Sequence, residues 1–199
     1  MPATVPLTLL EAIRNLDTPV NDGLELMSPE LIGKRLGLSA TVQAQIARYT
    51  EQLERGETVS RDEAASVFRL VGRRPDAALV FADGGRRVAR RAMAGRRRVG
   101  RMAPGPIARR LQRRAARLLA RQTLDVELGF PAGTPEASAA EPLSITAWPD
   151  GAACDYYASA LAELLRLTTG FEGIMRHVAC RGRGDAECRW LGMTGEDDA

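Results

Sequence analysis

Histidine occurs once in this 199-residue chain, lysine once and cysteine three times, and aromatic residues make up only 5%. Each scarcity excludes something. One histidine cannot supply a base and a second ring to orient it. Three cysteines cannot form a fully paired disulfide framework. So few aromatics leave a core built mostly of Ala, Leu and Val, within an apolar fraction of 45%. No apolar run approaches the roughly 18 residues a membrane-spanning helix requires. No Gly-x-Gly-x-x-Gly or Gly-x-x-x-x-Gly-Lys loop is present to cradle a nucleotide. Catalysis has little to work with, so the expectation is a protein that binds without transforming. The opening Met1-Pro2-Ala3-Thr4-Val5-Pro6 lacks the basic and apolar regions of a secretory leader. The expected compartment is therefore the reducing cytoplasm, where clustered thiols more often mean metal than disulfide.

The scarce soft ligands are gathered in one place. Cys154, His177, Cys180 and Cys188 are all three cysteines and the only histidine, and they fall within 35 residues. Three thiolates and an imidazole form the donor set of a closed tetrahedral zinc site. Gly182-Arg183-Gly184-Asp185 reads as a tight hairpin turn that sets Cys180 beside Cys188 on paired strands. The competing reading is a set of buried, unliganded thiols and a core histidine. Geometry sharpens the choice. In a regular strand His177 and Cys180 point to opposite faces, so both can ligate only if a bulge or strand end re-aims one. A regular strand would leave three cysteines completed by Asp155 or water.

Cys154, the helix-like run 155–165, and Cys180-Arg181-Gly182-Arg183-Gly184-Asp185-Ala186-Glu187-Cys188-Arg189-Trp190 together resemble the 4-vinyl-reductase domain family. That family includes a bacteriochlorophyll-biosynthesis protein and the sensor domains of phenol- and xylene-responsive activators. The resemblance spans residues 150–192 and implies zinc ligands at Cys154, Cys180 and Cys188. Its fourth, acidic ligand falls on His177, a departure that still places a zinc-binding side chain there. The resemblance further implies a binder of an aromatic or tetrapyrrole molecule, such as a carrier in bacteriochlorophyll biosynthesis, and a homodimer is the expected assembly. Trp148, Tyr156, Tyr157, Phe171 and Phe130 are candidates to line its pocket, though core packing explains each equally well.

Charge is divided along the chain. Between Arg86 and Arg121 there are fourteen arginines and no acidic residue, whereas from Asp125 onward thirteen acidic residues face five arginines. Arginine offers a bidentate fork to phosphate and carboxylate, so the block could meet lipid, nucleic acid or protein. Arg109, Arg113 and Arg117 are the candidate contacts. The plainer reading is two solvated helix faces, because Leu111, Ala115, Leu118 and Leu119 recur at helical spacing beneath the charges. This block also supports an alternative function, a subunit assembled onto a membrane-associated complex.

Periodicity divides the chain into an N-terminal helical extension (1–57), a ligand-binding domain (58–193) and an acidic tail (194–199). Helices are expected at 7–16, 29–36, 41–54, 60–71, 76–94 (bent at Gly84-Gly85) and 107–122. Ser60 with Glu63 forms a capping-box signature. Strands are expected at 123–130 and 143–148, a helix at 155–167, and hairpin strands at 173–181 and 187–193. The order specifies an α+β fold: N-terminal helices, then an antiparallel sheet of about four strands with helices on one face. Residues 28–42 also resemble a DNA-binding helix-turn-helix, with Leu36 and Leu38 flanking Gly37, but Gln43 stands where an apolar residue is usual. This leaves a one-component DNA-binding regulator that senses an aromatic ligand as another alternative.

Overall fold

The computed structural model describes residues 1–17, 40–94, 105–148 and 150–194. The helix-turn-helix candidate lies almost wholly outside these residues, as do the expected helix 29–36 and the tail beyond Thr194.

Among the described residues the chain forms seven α-helices followed and interleaved by a four-stranded antiparallel sheet, an α+β fold. Helix α1 (Thr4–Asp17) is apolar nearly all round its first two turns and is buried there. It packs against α2 (Ala40–Glu54), α3 (Arg61–Gly72) and α4 (Ala77–Met93). The Met1 amine donates to the Val59 carbonyl (3.0 Å) and ties the chain start to the lead-in of α3. Ser60 caps α3 by accepting from the Glu63 N–H (3.1 Å), while the Glu63 carboxylate pairs with Arg48 of α2.

Helix α4 runs unbroken through Gly84 and Gly85 because both glycines are packing surfaces. A Cβ at Gly84 would stand 2.8 Å from Leu9 Cδ2 of α1. One at Gly85 would strike the backbone of Tyr156 and Ala160, on α7 (Asp155–Thr169). The pair lets α4 lie close between α1 and α7, the central crossing of the molecule. There Phe68 stacks on Phe81, and Tyr156 meets Phe68 edge-on at 5.1 Å. Fully burying each such large side chain stabilises by about 1.5–3 kcal/mol.

Helix α5 (Gly105–Leu124) is different. Its buried residues, Ala116, Leu119, Ala120 and Leu124, all lie in its C-terminal half. Asp125, at φ +56°, ends it and turns the chain into β1 (Glu127–Gly129). The sheet order is β1–β2–β4–β3, where β2 is Glu136–Ala139, β3 Ile174–Ala179 and β4 Cys188–Met193. Side chains alternate between the two faces, with one break in β3 after His177. Leu128, Ala137, Met175 and Trp190 point inward, while Arg176, Ile174 and Arg189 point out. The helices therefore cover one face, as the α+β pattern requires.

Three expectations are corrected. Residues 143–148 form a short helix, α6 (Leu143–Ala147), and not a strand. Pro142 sets its entry and the Trp148 N–H closes it on the Ser144 carbonyl (2.8 Å). The second strand is instead β2, inside what reads as a loop. Glu-Ala-Ser-Ala has poor intrinsic strand preference, but Ala137 sits opposite the buried Trp190, where a small residue suits the space. The expected strand 123–130 shrinks to β1 because α5 continues to Leu124. Hydrophobic core residues from both sides of the 57/58 boundary form a single buried cluster.

Candidate metal centre

Four separate pieces of backbone deliver the soft ligands. Cys154 closes a 3₁₀ turn (Ala152–Cys154) and leads into α7. His177 is on β3, Cys180 lies just past its end, and Cys188 begins β4. Their ligand atoms all lie within 4.8 Å of one another, so the group can hold a metal ion. Around a tetrahedral zinc with sulfur bonds of about 2.3 Å, donor atoms stand about 3.8 Å apart. The observed cluster needs only a small contraction to reach that geometry.

The strand problem is solved by a bulge. His177 pairs with Trp190, but Ala179 pairs with Arg189, which leaves Val178 as an extra residue in β3. Val178 turns outward and the parity flips, so His177 and Cys180 face the same side although three residues apart. Gly182 and Gly184 serve the expected turn. Gly184 takes φ +97°, and the Cys180 N–H donates to the Asp185 carboxylate (2.6 Å), which pins the loop.

The imidazole is prepared for coordination. Its Nε2 is buried with no hydrogen-bond partner, whereas the ring bonds the Ala179 backbone. Burial, then the Arg183 charge, pushes its pKa below the usual value, which favours the neutral ring. A buried lone pair without a donor is a cost that a metal would remove. Trp190 stacks on the same ring at 5.1 Å and on Tyr157 at 5.5 Å, which fixes the histidine's orientation.

Burial pushes the Cys154 and Cys188 thiols up from their ordinary range, so without a cation they hold their protons. A divalent ion reverses that preference, because thiolate is the ligating form. Two further groups, which sequence reasoning passed over, shape the sulfurs. Ser144 Oγ lies 3.2 Å from Cys154 Sγ, and the Arg181 N–H donates to Cys188 Sγ (3.4 Å). Gly151 packs against Cys180: a Cβ there would come within 2.6 Å of its sulfur, and its φ of +85° also favours glycine. The only signal in the sequence was the run of small residues before Cys154. Asp155 is exposed and is not part of the group. Four protein donors leave no open coordination position, so the arrangement suits structure and not metal catalysis.

The five aromatic candidates do not converge. Tyr156 and Tyr157 are core residues: the Tyr157 hydroxyl accepts from the Leu143 N–H (2.9 Å), and Tyr156 bonds Thr8. Trp148 stands apart, beside Arg69, Arg73 and Asp150. Phe130 and Phe171 do share a groove of about 200 Å³ with Arg109 and Arg113. Phe171 also borders a second cleft of about 500 Å³, formed with Ala158, Ala162, Met175, Arg86 and Arg166. Of the three arginines singled out, Arg113 and Arg117 lie over the Phe130 ring at 5.0 and 5.5 Å, on the flank of α5 nearest the sheet. No helix of the described residues is long and apolar enough to cross a membrane.

No family model, curated protein or solved structure matches the chain.

Proposed function

We propose that the protein is a non-catalytic binder of a small aromatic or tetrapyrrole molecule, of the 4-vinyl-reductase domain type, with zinc pinning α7 to the β3–β4 hairpin. The observation that carries this reading is the convergence of Cys154, His177, Cys180 and Cys188 on one point. The resemblance sets its metal ligands at these same positions. Zinc suits the set, since three thiolates with an imidazole favour a borderline-soft, four-coordinate ion. Its role is to close a hairpin and a helix start that would otherwise bring neutral thiols and an orphaned imidazole together in the core.

The ligand side rests on the cleft between α7 and β3. Its volume of about 500 Å³ falls within the range of small-molecule sites, roughly 300–1,000 Å³. Ala158, Ala162 and Met175 supply apolar surface and Phe171 a ring for stacking, while Arg86 and Arg166 stand among Glu163 and Glu172, so the rim carries charge of both signs. That combination suits a planar, largely apolar molecule with a polar edge. Among the described residues no nucleophile–base pair lines the cleft, and in this reading the ligand leaves as it arrived.

The test is a porphyrin and phenol panel on purified full-length protein, with zinc measured by elemental analysis. Close to one zinc per chain is expected, together with a bound ligand that raises the melting temperature by mass action and is recovered unchanged. A metal-free protein with a sharp thermal transition would overturn the zinc reading. Failure to bind any member of the panel, or turnover of a vinyl group, would overturn the ligand reading.

A further inference from the structure

The fourteen-arginine block does not behave as one surface. On α4, Arg87 pairs with Asp83, Arg90 with Glu163, and Arg91 with Glu11. On α5 six arginines meet no acidic residue of their own helix, and among the described residues only Arg121 finds a carboxylate, Glu127 at 3.7 Å. Arg109, Arg113, Arg117 and Arg121 are stacked at four-residue intervals, and Arg110 sits four before Arg114. Like charges at that spacing repel. Nothing within α5 offsets this.

The same helix wastes apolar surface. Ile107, Leu111 and Leu118 are 55%, 39% and 50% exposed. At 3.6 residues per turn these three project within about 40° of one another, on the side opposite the buried Ala116 and Ala120. Arg110, Arg114 and Arg121 run along one border of that stripe. The outward face is thus an apolar ridge edged by guanidinium groups, of which Arg110 and Arg114 meet no carboxylate among the described residues and Arg121 has only the exposed Glu127 at 3.7 Å. It is distinct from the Arg113–Phe130 flank, which the fold already uses.

We infer that the outer face of α5 lies on an anionic lipid surface, with Ile107, Leu111 and Leu118 sunk to the headgroup–acyl boundary and Arg110, Arg114 and Arg121 against the phosphates. The inference is independent of the ligand reading. A helix that joins a basic border to an apolar ridge matches the interfacial pattern. A polyanion such as duplex DNA would use the arginines but gain nothing from the three aliphatic side chains. A second copy packed on this face would oppose arginine to arginine.

The experiment is flotation of the full-length protein with vesicles of phosphatidylglycerol and phosphatidylcholine, against vesicles of phosphatidylcholine alone. Binding is expected on the anionic vesicles and to weaken steeply with salt. The triple variant Arg110→Glu/Arg114→Glu/Arg121→Glu should lose binding by a hundredfold or more. Leu111→Gln/Leu118→Gln should lose it by on the order of tenfold with every charge intact. Circular dichroism and melting temperature should match the parent for both, because all five positions are solvent-exposed. Two results overturn the inference. One is no binding to anionic vesicles at low salt. The other is binding that the arginine reversals abolish and the leucine substitutions leave unchanged, which marks a polyanion partner instead of a bilayer.

Discussion

Helices α4 and α5 are written in nearly the same language, arginine-rich with apolar residues at helical intervals, yet the structure uses them oppositely. Helix α4 lies at the central crossing, with Val80, Phe81, Val88 and Ala89 buried and three of its arginines paired to carboxylates. Two of those carboxylates, Glu11 and Glu163, come from α1 and α7, far away in the chain. Helix α5 buries only part of one face and, apart from Arg121 beside Glu127, meets no carboxylate among the described residues. A basic run is therefore neither a binding surface nor a solvated face by virtue of its composition. What decides is whether neighbouring elements bring acidic groups to it.

The contrast can be broken most forcefully at its glycines. Gly85→Ala should destabilise by about 3 kcal/mol or more, because its Cβ meets the α7 backbone, which cannot rotate away. Gly105→Ala on α5 meets nothing within 4 Å and should be neutral or slightly stabilising. Thermal melting of the two variants checks this. Equal effects would mean that α4 is not the close-packed helix described.

Gly151→Ala carries the comparison to the metal centre. It should displace Cys180 and lower zinc content and melting temperature together, with a loss of about 2 kcal/mol or more from the positive φ and the clash combined. Added zinc should restore part of that loss. A zinc-replete Gly151→Ala protein with the parent melting temperature would show that the sulfur has room to move.

A smaller effect is expected from the α4–α7 ion pairs. Arg166, with Arg90 beside it, holds the buried Glu163 carboxyl well below its ordinary range, at about 2. A carboxyl whose pKa is lower folded than unfolded contributes stability above its unfolded value, near 4.5, and loses it as pH falls toward 2. The two arginines are about half exposed, so screening should limit the contribution to about 1–2 kcal/mol. Glu163→Gln should flatten stability between pH 5 and pH 2 relative to the parent, measured by urea unfolding across that range. An unchanged pH profile would leave Glu163 without this role.

Much of the fold could be read from periodicity where long amphipathic helices were concerned. The capping box at Ser60, the α7 helix and the final hairpin appear where spacing places them. The failures share one cause. Leu143-Ser144-Ile145-Thr146-Ala147 looks like a strand and Glu136-Ala137-Ser138-Ala139 looks like a loop, and in each case local preference lost to the neighbour that needed filling. The aromatic candidates divide for a similar reason: Phe130 and Phe171 border clefts, whereas Tyr156 and Tyr157 are core. Rings can be counted in a sequence, but whether Tyr156 and Tyr157 face a pocket or the core depends on α3, α6 and β4 closing over them. Likewise, regular spacing selected Arg109, Arg113 and Arg117, whereas the packed side of α5 turns Arg110, Arg114 and Arg121 outward.

The sequence by itself determined the chemistry available: which side chains could hold a metal, how few could catalyse, and how much positive charge the middle of the chain must carry. Donor type and charge are properties of single residues, so they survive without a fold. Only the tertiary structure decided that His177 and Cys180 share a face, because that depends on the one extra residue Val178 in β3 and its register against β4. Only the tertiary structure paired three arginines of α4 with carboxylates and gave α5 a single long pair, because ion pairs across the fold form between residues up to 80 positions apart. Distances of that kind are set by packing, and no local pattern encodes them.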